Sequence, residues 1–402
     1  MSTTTVILGG GIIGLSTAYY LSLQSPSEKI HLVESSPVLF SSASGKAAGF
    51  LAKDWFVPAS SELGGLSFNL HRRLAEEFGG REKWGYSPSV SYSLDQSATP
   101  SPGSERGEDW LFNGTSRAQV AKDDGSNVAS KPKGPTWITH KGAIRKISDL
   151  ESTAQVDPYR LCQFLLEQSQ AQGLQLHQPA KATKIIAADD VTITGIKIVS
   201  DDSIELDIPC DSLLIACGAW TTLVYDTLFP KATRTPKIIS LAGHSVVMKS
   251  DKWATPADEE GGCHAVFTTH PLGFSPEIFS RIGGEIWLGG LNSSTIPVPE
   301  LATGVEIDEK SIKDLVQVGK ELCGDDVEVM REGLCHRPVT RTGIPLVARV
   351  EEKWLGGVKG KVYVASGHGP WGISMSLGTG WVVSEMIQGK KPSADIKGLG
   401  RF

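Results

Sequence analysis

Short apolar runs bounded by glycine set the rhythm of this chain. Residues 4–8 (TTVIL) read as a buried parallel strand that ends at Gly9. Residues 12 to about 23 predict a helix through Ala18, Tyr19, Tyr20 and Leu21, and residues 29–34 (KIHLVE) predict the next strand. Strand, helix and strand fall within about 30 residues, the span of a β-α-β unit. Residues 157–173 predict a helix with Pro158 near its start and Gly173 just past its end. Segments 174–188 and 191–200 read as strands, and 211–220 (DSLLIACGAW) as an apolar strand entering a turn of small residues. Residues 236–300 are strand-rich, including SLAGHSVVMK and GEIWLGGL, and 305–323 predict a helix. The opening pattern returns near the end. KVYVASGHGPWG is strand then glycine turn, and ISMSLGTGWVVSEMIQG predicts a helix starting near Ile373.

The pattern lapses between residues 94 and 135, where Ser, Gly, Pro and charged residues dominate. That composition predicts a surface excursion, partly disordered and anchored at its middle by Trp110, Leu111 and Phe112. A length of 402 residues predicts two or three domains with a sizeable core. A net charge of −6 gives no reason to expect a nucleic-acid partner. The six cysteines form no C-x-x-C pair, so neither zinc nor thioredoxin-type chemistry is expected. No metal-ligand spacing, P-loop or Ser-His-Asp constellation stands out. No basic start with an apolar segment precedes the first strand, and no run of 18 apolar residues occurs. A cytoplasmic location is therefore expected, with the sequons at Asn113 and Asn292 unused. The oligomeric state is left open.

Gly9, Gly11 and Gly14 fit G-x-G-x-x-G between the first strand and the first helix. The first glycine permits a tight turn, the second a close approach of backbone to a pyrophosphate, and the third close packing of helix on strand. Glu34 follows about 20 residues later at the end of the second strand, where an acid binds ribose hydroxyls and repels the extra phosphate of NADP. The bland alternative is a glycine turn before a buried helix; the matching strand, helix and acid favour a dinucleotide. Residues 41–51 (SSASGKAAGFL) then offer small side chains against which a flat ring can lie.

Taken in order with ACGAW (216–220) and ASGHGPWGIS (365–374), these motifs resemble the D-amino-acid oxidase superfamily of FAD-dependent enzymes, including glycine oxidase, the sarcosine and pipecolate oxidases and the fungal saccharopine oxidase group. The resemblance covers most of the chain outside 94–135. It implies an α/β, two-domain protein. A discontinuous Rossmann-like FAD-binding domain of the glutathione-reductase type takes residues 1–60, 150–235 and 330–402. An inserted, mostly antiparallel substrate domain takes 61–149 and 236–329. The implied FAD contacts are Gly9, Gly11, Ile12, Ile13, Gly14, Glu34 and Ser35; then Ser42, Ser44, Gly45, Lys46, Ala47, Ala48 and Gly49; then Ala182, Gly218 and Trp220. The last segment adds Cys335, Arg337, Gly367, His368, Gly369, Trp371, Gly372 and Ile373.

The segment GLCHRPVTRTGIP (333–345) is similar to the R-P motif of glycine oxidase and D-amino-acid oxidase, which implies that Arg337 binds the substrate carboxylate. A planar guanidinium suits that task because it can donate two parallel hydrogen bonds. Cys335 matches the flavin-linked cysteine of sarcosine and pipecolate oxidases, but those enzymes lack the R-P pair; a buried free thiol is the favoured reading. His368 either lines the catalytic face or satisfies local backbone groups. Lys46 either contacts FAD or stays solvated. The lysine that assists reaction with oxygen in sarcosine-type oxidases is matched here by Trp287. Trp55, His336 and Trp371 are candidates for the substrate pocket, against an ordinary core or rim role. The helix after 373 would direct its positive end at the reduced flavin.

The implied activity is oxidation of the C–N bond of a small amino acid or secondary amine. Hydride passes from the substrate α-carbon to flavin N5, the product is an imine, and oxygen is reduced to peroxide. A dehydrogenase with another acceptor, and a non-catalytic FAD-fold protein serving as a scaffold or in trafficking, are the alternatives.

Overall fold

The computed structural model describes residues 3–96, 134–139, 143–251, 261–268, 274–400 and 402. Trp110, Leu111 and Phe112 lie outside them, as does most of the expected excursion. Leu94, at the start of that stretch, is instead buried in the strand Ser87–Asp95.

A six-stranded sheet runs in the order Leu346–Arg349, Lys361–Ser366, Ser212–Ile215, Thr4–Leu8, Lys29–Val33, Gln175–His177. All neighbours are parallel except the first pair. Thr4–Leu8 is central and buried on both faces, as a covered parallel strand must be. Its alternate side chains feed two cores. Ile7 joins Leu15, Ala18 and Leu161 beneath the helices Ile12–Gln24, Pro158–Ala171 and Ser376–Ile387. Val6 and Leu8 join Ile196, Ile208 and Tyr225. That second face is covered by a three-stranded antiparallel sheet (Ala180–Ala188, Thr192–Ser200, Glu205–Pro209) and the helix Thr221–Leu228. Each fully buried aliphatic side chain contributes roughly 1.5–3 kcal/mol.

A nine-stranded, mostly antiparallel sheet is built from Glu328–Val339, Ile239–Lys249, Glu285–Ser293, Glu277–Arg281, Cys263–Thr268, Ser87–Asp95, Thr153–Gln155 and Phe50–Ala52, with Ala143–Lys146 beside Ser87–Asp95. Its strands alternate between two faces, with register shifts at His244/Ser245 and Val247/Met248. Val246, Met248, Ile278, Ile286 and Leu288 pack under the helix Glu309–Cys323. Val247, Phe279 and Trp287, one residue out of phase, join the core shared with the first helix.

The predicted strands and helices at 4–8, 12–23, 29–34, 157–173, 191–200 and 211–220 correspond to observed elements, with ends shifted by a few residues. Two helix starts differ. The helix expected from 305 begins at Glu309, because the Asp308 side chain accepts from Ser311 N at 2.8 Å and caps it there. The helix expected from Ile373 begins at Ser376, after a 3-10 turn at Gly369–Trp371 and a bond from Met375 N to Trp371 O. The helix Pro58–Phe78 was not anticipated. Its buried stripe includes Ser60, Ser67 and His71, so it lacks a clean apolar period. Among the described residues no helix is long and apolar enough to cross a membrane. All six cysteines are free.

Candidate functional site

The first strand delivers the chain into a turn that only glycine can make. Gly9 has φ +105°, and a Cβ there would stand 2.5 Å from the Ala216 carbonyl oxygen. A Cβ on Gly14 would stand 2.1 Å from the Gly9 carbonyl oxygen, so the helix Ile12–Gln24 touches the turn directly. Glu34 braces the arrangement: one carboxylate oxygen accepts from Gly10 N at 2.8 Å and the other from Ser36 N at 2.7 Å. Ser44 Oγ accepts from Ile12 N at 2.9 Å.

These residues open onto a cavity of about 440 Å³. Gly9, Gly11, Ile12, Ile13, Glu34, Ser35, Ser42, Ser44 and Ala182 line it. Two buried hydroxyls on its wall, Ser36 Oγ and Ser42 Oγ, have no hydrogen-bond partner among the described residues, and neither has His336 Nε2. A backbone cradle closed to any Cβ, orphaned hydroxyls and a carboxylate with spare lone pairs together fit the phosphates and ribose of a dinucleotide.

Ala47, Ala48 and Gly49 line the same cavity, as do Gly218, Trp220, His368, Gly369, Trp371, Gly372 and Ile373. Sequence reasoning did not find what holds the first group in place. Arg281, buried at the end of the strand Glu277–Arg281, donates through Nη2 to Ala47 O at 2.8 Å and Ala48 O at 2.9 Å. Its charge faces Asp157 at 3.9 Å and Glu285 at 3.8 Å. Gln155 Nε2 adds a bond to Ala48 O at 2.6 Å. His368 is buried, pairs through Nε2 with Thr379 Oγ1 at 3.1 Å, and is pushed down to about 4 by burial. Its imidazole is therefore neutral near pH 7.

Cys335, His336 and Arg337 reach the cavity from the strand Glu328–Val339, held in antiparallel register by Ile239–Lys249. Arg337 Nη1 donates to Asn292 Oδ1. His336 Nδ1 pairs with Ser240 Oγ at 2.8 Å. Burial pushes the Cys335 thiol up, against the opposing influence of Arg337 and Lys46. Phe50, Phe267, Phe279, Trp287 and Trp371 supply aromatic wall. Among them is a side chain that sequence reasoning missed: Glu277, buried and pushed up to about 7 by desolvation.

Five predicted residues are not on the cavity wall. Gly14 and Gly45 are packed against backbone, and Gly367 lies against Thr340 and Ile238. Trp55 is fully buried behind it, between Phe50 and Phe267. Lys46 turns its ammonium away: Nζ donates to Leu334 O at 3.0 Å, and burial pushes its pKa down. Its carbonyl instead receives the Trp287 Nε1 hydrogen bond at 3.1 Å.

Fold and cavity together define an FAD-dependent oxidoreductase. A sequence model of the family described as FAD dependent oxidoreductase (DAO) matches residues 4–386, and the chain belongs to that family. A protein of Schizosaccharomyces pombe that carries an oxidoreductase name is 26% identical over 421 residues, covering 98% of this chain and 97% of its own. A protein of Saccharomyces cerevisiae with a similar name is 24% identical, covering 98% of this chain and 93% of its own. Among solved structures, glycine oxidase from Bacillus cereus superposes with a TM-score of 0.74 at 19% identity, over 100% of this chain and 99% of that one. That likeness concerns the fold.

Proposed function

We propose that this enzyme oxidises the C–N bond of a small amino acid or secondary amine to an imine, which water then hydrolyses, with oxygen as acceptor and peroxide as co-product. One observation carries the proposal: the glycine turn, the small-residue run and Arg337 all line one cavity. In this reading residues 1–60, 150–235 and 330–402 hold the cofactor, and 61–149 and 236–329 cover it. FAD, when bound, supplies the two-electron acceptor. Gly9 to Ile13 and the hydroxyls of Ser42 and Ser44 would hold its phosphates, and Glu34 has lone pairs for ribose beyond the two it gives to Gly10 and Ser36. Ala182 would serve the adenine and Ala47 to Gly49 the ring. Arg337 clamps the substrate carboxylate and so presents the α C–H in a near-attack geometry. A cytoplasmic site of action belongs to the same reading.

The test is a peroxide-coupled screen of the purified yellow protein with D-amino acids, N-methyl amino acids, pipecolate and saccharopine. Peroxide release in air with at least one of them is expected. A preparation that stays colourless after incubation with FAD removes the proposal. Substrate consumption without peroxide moves it to the second reading, a dehydrogenase. The position of Lys46 favours that alternative, since its ammonium is bound to Leu334 O and not offered to the cavity. An open cavity faced by Arg337 speaks against a non-catalytic scaffold.

Cys335 lines the same cavity, which raises the question of a covalent link. Burial keeps its thiol protonated, and the thiolate is the reactive form. On acid precipitation the yellow colour is expected in the supernatant; colour retained in the pellet would establish the bond.

A further inference from the structure

Glu277 begins the strand Glu277–Arg281 and is only 7% exposed. Its backbone pairs with Phe267 on one side and Gly289 on the other, so no side chain stands opposite it at Gly289. Phe267, Phe279 and Trp287 share the cavity wall with it. Among the described residues its carboxylate makes no hydrogen bond and no ion pair. A lone carboxylate in such surroundings costs several kcal/mol and is tolerated only with a proton or a cation supplied to it.

Among the described residues, the groups that could serve do not. Arg281, on the same strand, is turned to the Ala47 and Ala48 carbonyls. Cys263 and His264 lie at the far end of one neighbouring strand and Glu285 at the far end of the other. Cys335, His336 and His368 share the cavity, but burial holds both imidazoles below their usual range and the thiol above its own. Arg337 is the charged group that acts on Glu277, yet its guanidinium is bonded to Asn292 and not to Glu277. The cavity thus holds a guanidinium and a carboxyl group that, among the described residues, no hydrogen bond joins. A zwitterion, with a carboxylate and a protonated nitrogen, neutralises both.

We propose that Glu277 receives the substrate's ammonium group and takes the proton that this nitrogen must lose before its C–H bond can be oxidised. The inference rests on the amine-oxidising function proposed above. The transfer balances simply: one N–H bond of the ammonium breaks, one O–H bond forms on Glu277, and no electrons leave either partner. The free amine remains beside a neutral carboxyl group, and the proton later passes to water. Desolvation, which makes the carboxylate a stronger base than an exposed one, suits it to this exchange near neutral pH.

The test compares two ligands of one shape. Pipecolate carries a ring ammonium where cyclohexanecarboxylate carries a methylene. Calorimetry at pH 8 on the holoenzyme with its flavin reduced under nitrogen, so that no turnover occurs, is expected to show pipecolate bound at least about tenfold tighter, a preference that Glu277→Gln abolishes. Glu277→Asp, which keeps the charge, should restore part of it. With any amine the enzyme oxidises, Glu277→Gln should lower kcat/KM about tenfold or more at neutral pH, the deficit closing as pH approaches the amine's own pKa. Equal preferences in wild type and Glu277→Gln, with superimposable pH profiles, would overturn the role of Glu277 alone. If neither ligand binds the wild type, the function assigned to Arg337 falls first and this inference falls with it.

Discussion

Replacing Arg337 with alanine is expected to raise KM for a carboxylate-bearing amine by about 100-fold or more. The guanidinium stands at the cavity wall on the strand Glu328–Val339, and Asn292 orients one of its nitrogens. In the proposed role a charge-assisted, two-pronged contact would be lost, and about 1.4 kcal/mol accounts for each factor of ten. Arg337→Lys keeps the charge but not the fork and should fall in between. Gly243→Ala gives an independent check. A Cβ there would stand 2.7 Å from Arg337 Nη1, so it displaces the guanidinium without removing it. Steady-state kinetics and equilibrium binding read all three. An unchanged KM and affinity in Arg337→Ala would take this residue out of the site.

Gly14→Ala is expected to yield protein without visible flavin absorbance and with a lowered melting temperature. The added Cβ would lie 2.1 Å from the Gly9 carbonyl oxygen and 3.2 Å from Ile7 Cγ2. Backbone cannot rotate out of the way as a side chain can. Either the helix lifts from the strand or the turn shifts, and both disturb the cradle at Gly9 to Ile13. Overpacking of this kind costs about 1–3 kcal/mol, or a few degrees in a chain of this size. The ratio of flavin to protein absorbance and a thermal melt measure the two effects. A fully loaded variant with the wild-type melting temperature would show that the contact is not needed.

The first β-α-β unit was legible because local signals agree there: an apolar run, a glycine turn, a helix and an acid at the next strand end, each meaningful within a few residues. The strands in SLAGHSVVMK and GEIWLGGL were legible as short apolar runs. Glu277 was not. In FSPEIFSR it is an ordinary glutamate before a strand, and its burial arises only when Cys263–Thr268 and Glu285–Ser293 close around it. Arg281 was hidden likewise, since its partners at 47 and 48 are carbonyl groups that sequence does not distinguish. Lys46 and Trp55 show the converse. Position along the chain placed them near the ring, but side-chain direction sends one to Leu334 and the other into the aromatic core. The helix Pro58–Phe78 escaped notice because serines and a histidine occupy part of its buried stripe; Ser67 Oγ accepts there from Gly378 N at 3.0 Å, a partner far along the chain.

The central sheet joins strands from opposite ends of the sequence: Lys361–Ser366 pairs with Ser212–Ile215, which pairs with Thr4–Leu8, and Ser376–Ile387 lies over Ile12–Gln24. During translation at ~5–20 residues per second, the glycine turn therefore leaves the ribosome on the order of tens of seconds before the segments that complete its walls. The nascent chain must shelter a strand that lacks its neighbours for that time. Cofactor loading becomes a late event, since the sheet beside the glycine turn is incomplete until Lys361–Ser366 has emerged.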